Sequence, residues 1–405
     1  MTTAPTGFAV LRHREFRLYV AARFLSSVAL MMLGVAVGWQ VYALTGDALA
    51  LGFVGLAQFA PAFLLTLPGG QTADRFDRRR ILQVAMAVEV VAALGLLAFA
   101  LEPAPPVAGI YAILVVMGSA RAFIAPASQS LVPLLVGPEL FPRAVAINST
   151  AWQSAVIAGP ALGGLLYAAG AAVVYGVAAA LLAASMLMVA RLKARLAVVS
   201  DRPKGLDGLL EGVRFVWRRK DILGAISLDL FAVLLGGATA LLPIYAGDIL
   251  HTGPLGLGLL RSAPAVGAAA MAVWLAHHPL QRRAGHTLFI AVAIFGLATI
   301  AFGVSTWFPL SLAALVVLGA ADMISVVVRQ TLVQIETPDA MRGRVSAVNL
   351  VFIGASNELG EFESGVTAAW LGTVPAVVIG GLGTLAVAAI WAWKFPALRR
   401  IDKLS

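Results

Sequence analysis

The segment SNELGEFESG, residues 356–365, sets Glu358, Glu361 and Glu363 between the apolar flanks VSAVNLVFIGA and VTAAWLGTVPAVVIGGLG. Glu358 and Glu361 are three residues apart and share a helix face, whereas Glu363 points elsewhere. A bare carboxylate at mid-bilayer costs roughly 2.5 to 3.5 kcal/mol on insertion scales. Acids in such surroundings are protonated, paired or wet. The stretch therefore reads either as a cluster that carries protons or locks two domains together, or as acids that pair with arginines and cap a helix end. Other ionisable groups interrupt apolar runs as well: Glu89, Asp229 and Asp322, with Arg23, Arg121, Arg261 and Arg329. Asp322, Arg121 and Asp229, supported by Glu358 and Glu361, are the candidates for proton movement. An Arg121–Asp322 pair that opened on protonation would be a switch, and one that stayed closed would be a structural ion pair. Glu89 has no partner that spacing identifies. Arg261 and Arg329 offer guanidinium forks suited to an anionic or carboxylate-bearing solute, unless they pair with Asp229 or the glutamates. Asn148, Asn349, Gln40 and Trp152 are polar or aromatic positions able to line a cavity or to pack between helices.

Such groups need elements that hold them inside a bilayer, and the composition supplies them. Of 405 residues, 60% are hydrophobic and 12% charged, with mean hydropathy +0.91, against roughly half apolar and a quarter charged in soluble domains. A spanning helix needs about 20 predominantly apolar residues. Twelve stretches qualify, near 18–44, 48–72, 80–101, 107–135, 144–169, 172–192, 222–247, 254–277, 286–305, 308–335, 345–371 and 374–394. The N-terminal MTTAPTGFAVLRHREFR has no apolar run followed by a small-residue cleavage site, so the first span is expected to stay in the membrane.

Net charge is +9, which raises nucleic acid as a partner. The distribution argues against it. Apart from Arg23, Arg121, Arg261 and Arg329, every Lys and Arg lies at the N-terminus, in alternate loops or after the last span, the bias that puts both termini in the cytoplasm. There is no cysteine, and the five histidines fall at loop or terminal positions. Neither a P-loop nor an HExxH pair occurs. No metal, no cofactor and no enzyme chemistry are expected, and the missing P-loop argues against an ATP-driven transporter.

Internal similarity divides the chain. VMGSARAFIAPASQSLVPLLVGPELFPRAVAINS (116–149) lies over VLGAADMISVVVRQTLVQIETPDAMRGRVSAVNL (317–350) without a gap, matching Gly118 to Gly319, Gln129 to Gln330, Arg143 to Arg344 and Asn148 to Asn349. The same register sets Asp322 over Arg121. A neighbouring register relates LGFVGLAQFAPA to LGLGLLRSAPA and puts Arg261 where the first half has Gln58. The expected organisation is an N-terminal six-helix bundle (1–193), a linker (194–221) and a C-terminal six-helix bundle (222–405). Within the linker, GLDGLLEGVRFVWRRK repeats apolar residues at helical spacing with Arg and Lys opposite, as an amphipathic helix on the cytoplasmic membrane surface would.

Two short motifs now carry a resemblance. GGQTADRFDRRRIL (69–82) resembles the signature loop of the major facilitator superfamily, with Gly70, Asp74, Arg75, Arg78, Arg79 and Arg80 in matching positions and Asp77 where that pattern usually has glycine. AGPALGG (158–164) is similar to the superfamily's antiporter motif through Gly159, Pro160, Gly163 and Gly164; in the repeat, Glu361 stands at the position of Pro160. SLDLFAVLLGGATALLPIYA and TPDAMRGRVSAVNLVFIGASNELGEFESG resemble the superfamily's bacterial twelve-span drug and siderophore exporters, the enterobactin-exporter-like and macrolide-efflux-like branch. The resemblance implies an all-α membrane protein of twelve transmembrane helices in two pseudo-symmetric bundles that rock about a midplane site. It also implies residence in the bacterial inner membrane, work as a monomer, and proton-coupled export of an amphipathic small molecule. An importer or uniporter of the same fold is the alternative. Asp74 is expected to hold a cytoplasmic gate through a helix N-terminus or an arginine of the other half.

Overall fold

The computed structural model describes residues 9–193, 206–279 and 283–402, and these form helices and turns with no strand. Helices satisfy their own backbone polar groups, which is what a hydrocarbon solvent demands. The first six long ones are α1 (Arg14–Thr45), α2 (Ala48–Arg75), α3 (Arg78–Ala100), α4 (Val107–Leu135), α5 (Phe141–Tyr167) and α6 (Ala171–Ala190). A short α7 (Leu206–Arg218) precedes α8 (Lys220–Gly236), which breaks into a 3-10 turn, a single turn α9 (Leu242–Ile244) and a π turn ending at Ile249. Then follow α10 (Gly253–His277), α11 (Ala284–Val304), α12 (Phe308–Glu336), α13 (Asp339–Leu371), α14 (Thr373–Lys394) and a terminal turn α15 (Pro396–Arg399).

Ten of the described helices are long and apolar enough to cross a membrane, counting Lys220–Ile249 as one. The fifth and eleventh expected spans, α5 and α13, have 27 and 33 residues but are more polar. They are the helices that contain the antiporter-like motif and its acidic counterpart. Their connections to the next span are alike: Gly170 (φ 113°) starts α6 and Gly372 (φ 91°) starts α14, each in a region glycine occupies without steric cost.

The chain divides into two compact units. One comprises α1 through Gln40 and Ala57 to the end of α6; the other comprises Val41–Leu56 and α7 onward. In the first, α3 packs on α4 and α6 around Phe16, Tyr19, Leu82, Met86, Leu131 and Val189. Tyr19 donates to the Ser128 carbonyl at 3.1 Å and Ser185 to the Ala22 carbonyl at 2.8 Å, tying α1 to α4 and α6. In the second, α12 packs on α10 and α11, while α14 lies against α11 and α8. Val41–Leu56, expected with the N-terminal bundle, groups with the second unit because small residues let it close on α13. A methyl group on Gly52 would stand 3.1 Å from the Phe362 carbonyl oxygen, and the Phe53 and Phe362 rings are 5.7 Å apart. Tyr42 also donates to Asp248 of the π turn.

The linker helix differs from its expectation. The stretch 194–205 lies outside the described residues, as do the side chains of 206–210. Instead of facing lipid, the apolar side of α7 is buried in protein: Val213, Phe215 and Val216 pack with Ile222, Ile226, Val333, Val345 and Val348. Close approach makes this possible, since a methyl group on Gly212 would stand 2.9 Å from the Arg344 carbonyl oxygen. An Arg344–Glu211 ion pair at 2.7 Å fastens α7 to α13.

Candidate transport site

Three charged side chains meet inside the second unit. Asp229 on α8 and Arg329 on α12 form an ion pair at 2.9 Å, and Arg329 also donates to Asn349 Oδ1 on α13 at 3.3 Å. Arg329 is 2% exposed, and its Nε has no hydrogen-bond partner. Asp322, two turns before Arg329 on α12, interacts electrostatically with both Asp229 and Arg329. Two carboxylates thus face one guanidinium. With both acids ionised the group holds one uncompensated negative charge, and uptake of a single proton makes it neutral. Arg329, a candidate for the substrate cavity or for pairing with Asp229, pairs with Asp229 and donates to Asn349, the other cavity candidate on these helices. The reason is electrostatic: a guanidinium this deep is costly to leave without a carboxylate partner.

Alpha-helix α8 ends two turns beyond Asp229, at Gly236. The backbone freed by the break finds partners, as irregular structure at membrane depth requires. Ser364 of α13 donates to the Gly237 carbonyl at 2.8 Å, and Thr384 of α14 donates to the Ala232 carbonyl at 2.9 Å. Asp229 is therefore positioned by a short helical segment anchored from two sides.

The first unit has a charged group of its own. Glu89 on α3 is 2% exposed, and its Oε2 has no hydrogen-bond partner. It interacts electrostatically with Arg121 on α4 and then with Arg23 on α1. The Arg23 guanidinium lies 6.0 Å from the ring centroid of Trp152 on α5, within reach of a cation–π attraction. Here two guanidiniums face one carboxylate, the reverse of the second unit. Spacing did not supply Glu89 with a partner; the signal available was that Arg23, Glu89 and Arg121 all interrupt apolar runs. Gln40, a candidate for lining a cavity or packing between helices, accepts at Oε1 from the Tyr175 hydroxyl at 2.5 Å, joining α1 to α6 in a buried contact. Asn148 and Arg261 are half-buried on α5 and α10.

The acidic segment of α13 is built around small residues. A methyl group on Gly360 would stand 2.9 Å from the Leu234 carbonyl oxygen of α8, and one on Gly365 would stand 2.7 Å from Gly52 Cα of α2. The Glu361 side chain lies over Gly55, where an added methyl would stand 3.1 Å from its carboxylate oxygen. Glu363 accepts from Thr367 at 2.8 Å. Glu358, Glu361 and Glu363 are all half-buried. The antiporter-like motif uses the same principle in the first unit. Methyls on Gly159 and Gly163 of α5 would stand 2.5 Å from Met31 Cβ and 2.9 Å from Met32 Cα of α1, and Pro160 and Gly164 are buried beside them. Small residues allow such contact between helices.

In the signature loop, Asp77 replaces the usual glycine and caps α3, accepting from the Arg79 amide at 2.9 Å. Arg78 donates to the Ser130 carbonyl at 3.4 Å. Arg79 donates to the Ala190 carbonyl at the C-terminal end of α6, where a cation is favoured. Gly70 meets open space; the glycine pressed on a neighbour is Gly69, whose methyl would stand 2.3 Å from the Ala122 carbonyl oxygen. Arg75 ends α2 and is exposed, and the Asp74 side chain lies outside the described residues.

A family model described as transmembrane secretion effector, of the major facilitator superfamily, matches residues 5–405. The chain belongs to this family. It is a membrane-embedded transporter with the all-α facilitator fold. Proteins similar to it include the enterobactin exporter EntS of Citrobacter koseri, 29% identical over 391 residues that cover 96% of this chain and 93% of that protein. The enterobactin exporter EntS of Escherichia coli O1:K1 is 28% identical, with 96% and 93% covered. Among solved structures, a POT family transporter in complex with 5-aminolevulinic acid superposes with TM-score 0.76 at 12% identity, over 95% of this chain and 96% of that one. A bacterial homologue of the human lysosomal transporter Spinster gives TM-score 0.76 at 13% identity, over 94% and 96%. At these identities the structural likeness concerns the fold.

Proposed function

We propose that this transporter exports an amphipathic small molecule, of the drug or siderophore kind, in exchange for inward-moving protons. The supporting relatives are enterobactin exporters, and the observation that carries the coupling is the group formed by the buried Asp229–Arg329 pair and the half-buried Asp322. Uptake of one proton removes its net charge, and a neutral group is far cheaper to enclose in low dielectric than a charged one. Proton loading thereby favours a state in which the group is shut away from water, and release favours the hydrated one. The guanidiniums of Arg23 and Arg121 in the first unit are of the type that suits a cargo with an acidic group. Glu358 and Glu361 support coupling from α13. No cofactor is needed beyond the proton gradient, and the protein works as a monomer in the bacterial inner membrane with both termini in the cytoplasm.

Reconstituted protein in liposomes under an imposed pH gradient, with internal pH recorded on adding candidate cargo, tests this reading. Cargo-dependent proton flux is expected, and Asp322→Asn is expected to abolish it while cargo binding persists. Flux that survives in the variant would move coupling to Asp229 or the α13 glutamates. Cargo movement with no proton flux would overturn antiport and leave a uniporter or importer.

A further inference from the structure

The buried side of α7 is spoken for, and its outward side is not. Arg214, Trp217 and Arg218 are exposed, and their spacing of three and four residues puts them on one helical face. Trp217 is 72% exposed. Lys220, also exposed, follows immediately at the first residue of α8. Only Arg219 separates α7 from this span, so the face lies at the depth where a bilayer's hydrocarbon meets its headgroups. Tryptophan belongs at that depth, and clustered Arg and Lys there attract anionic headgroups.

We propose that the outward face of α7 is a binding site for anionic phospholipid headgroups. Arg214, Arg218 and Lys220 bind the phosphates, and the Trp217 ring lies among the upper acyl chains. Arg219 and Arg344 are not part of it, since they pair with Glu336 and Glu211. Because α7 is held to α13 by the Gly212 contact and the Arg344–Glu211 pair, a bound headgroup anchors the end of α13 to the leaflet.

The test places the full-length protein in nanodiscs of phosphatidylcholine containing brominated phosphatidylglycerol or, at the same fraction, brominated phosphatidylcholine. The fluorescence of Trp217 is taken as the difference between the wild type and Trp217→Phe. Quenching of that component is expected to be stronger with the anionic lipid. Arg214→Gln with Arg218→Gln is expected to lower the preference on the order of tenfold, leaving quenching by brominated phosphatidylcholine in place. Equal quenching by both lipids would overturn the anionic site, and no quenching by either would mean that this face looks into water and overturn the lipid contact altogether. The substituted residues are exposed, and an unchanged thermal midpoint in each variant excludes unfolding as the cause. None of these outcomes depends on whether transport is proton-coupled.

Discussion

At the scale of single residues, the decisive arrangement is a group of charges in each unit: Glu89 with Arg121 and Arg23, and Arg329 with Asp229 and Asp322. A buried pair is costly to break because the survivor is left charged in low dielectric, typically about 3–5 kcal/mol. Asp229→Leu is therefore expected to lower the thermal midpoint of the purified protein markedly, and Asp229→Leu with Arg329→Met to recover much of the loss. A single Asp229→Leu variant as stable as the wild type would refute the pair. The Asp229 partnership of Arg329 was among the alternatives its residue type allowed. The Glu89 group was not legible, because its members sit on three different helices and linear spacing says nothing of lateral neighbours. At about 1.5 Å per residue, they lie roughly 14 to 21 Å from the ends of their helices nearest the basic loops.

At the scale of elements, glycines decide which helices touch. The signature loop directs attention to Gly70, yet Gly69 is the one set against the Ala122 carbonyl. Gly69→Val is expected to cost at least about 1–3 kcal/mol through overpacking, whereas Gly70→Ala should leave folding within about 0.5 kcal/mol. Thermal unfolding of the two variants checks this, and the reverse order would show that α2 and α4 pack differently. In α5 and α13 small residues make the contacts with neighbours: α5 with α1, and α13 with α8, α7 and the start of α2. The amphipathic pattern of α7 was readable, but its apolar side had two possible solvents, lipid or protein, and periodicity does not distinguish them.

At the scale of the molecule, the distribution of Lys and Arg makes an orientation testable. The absence of native cysteine allows single cysteines to report it without background. Glu102→Cys, in the loop after α3, is expected to react with a membrane-impermeant maleimide in intact cells. Glu139→Cys, in the loop after α4, is expected to react only after the membrane is opened. The opposite pattern would invert the topology.

The amino-acid sequence by itself determined the solvent, the helical class, the internal repeat and the depth of each intramembrane charge, because hydropathy and spacing are properties of one helix at a time. Only the tertiary structure decided that Arg329 takes Asp229 and Asn349, that Glu89 meets Arg121 and Arg23, that Gln40 is held by Tyr175, and that α7 turns its apolar side to α13. Which helices adjoin, and how each is rotated about its axis, depends on where small residues permit close approach. That is a property of pairs of surfaces, and a linear pattern does not contain it.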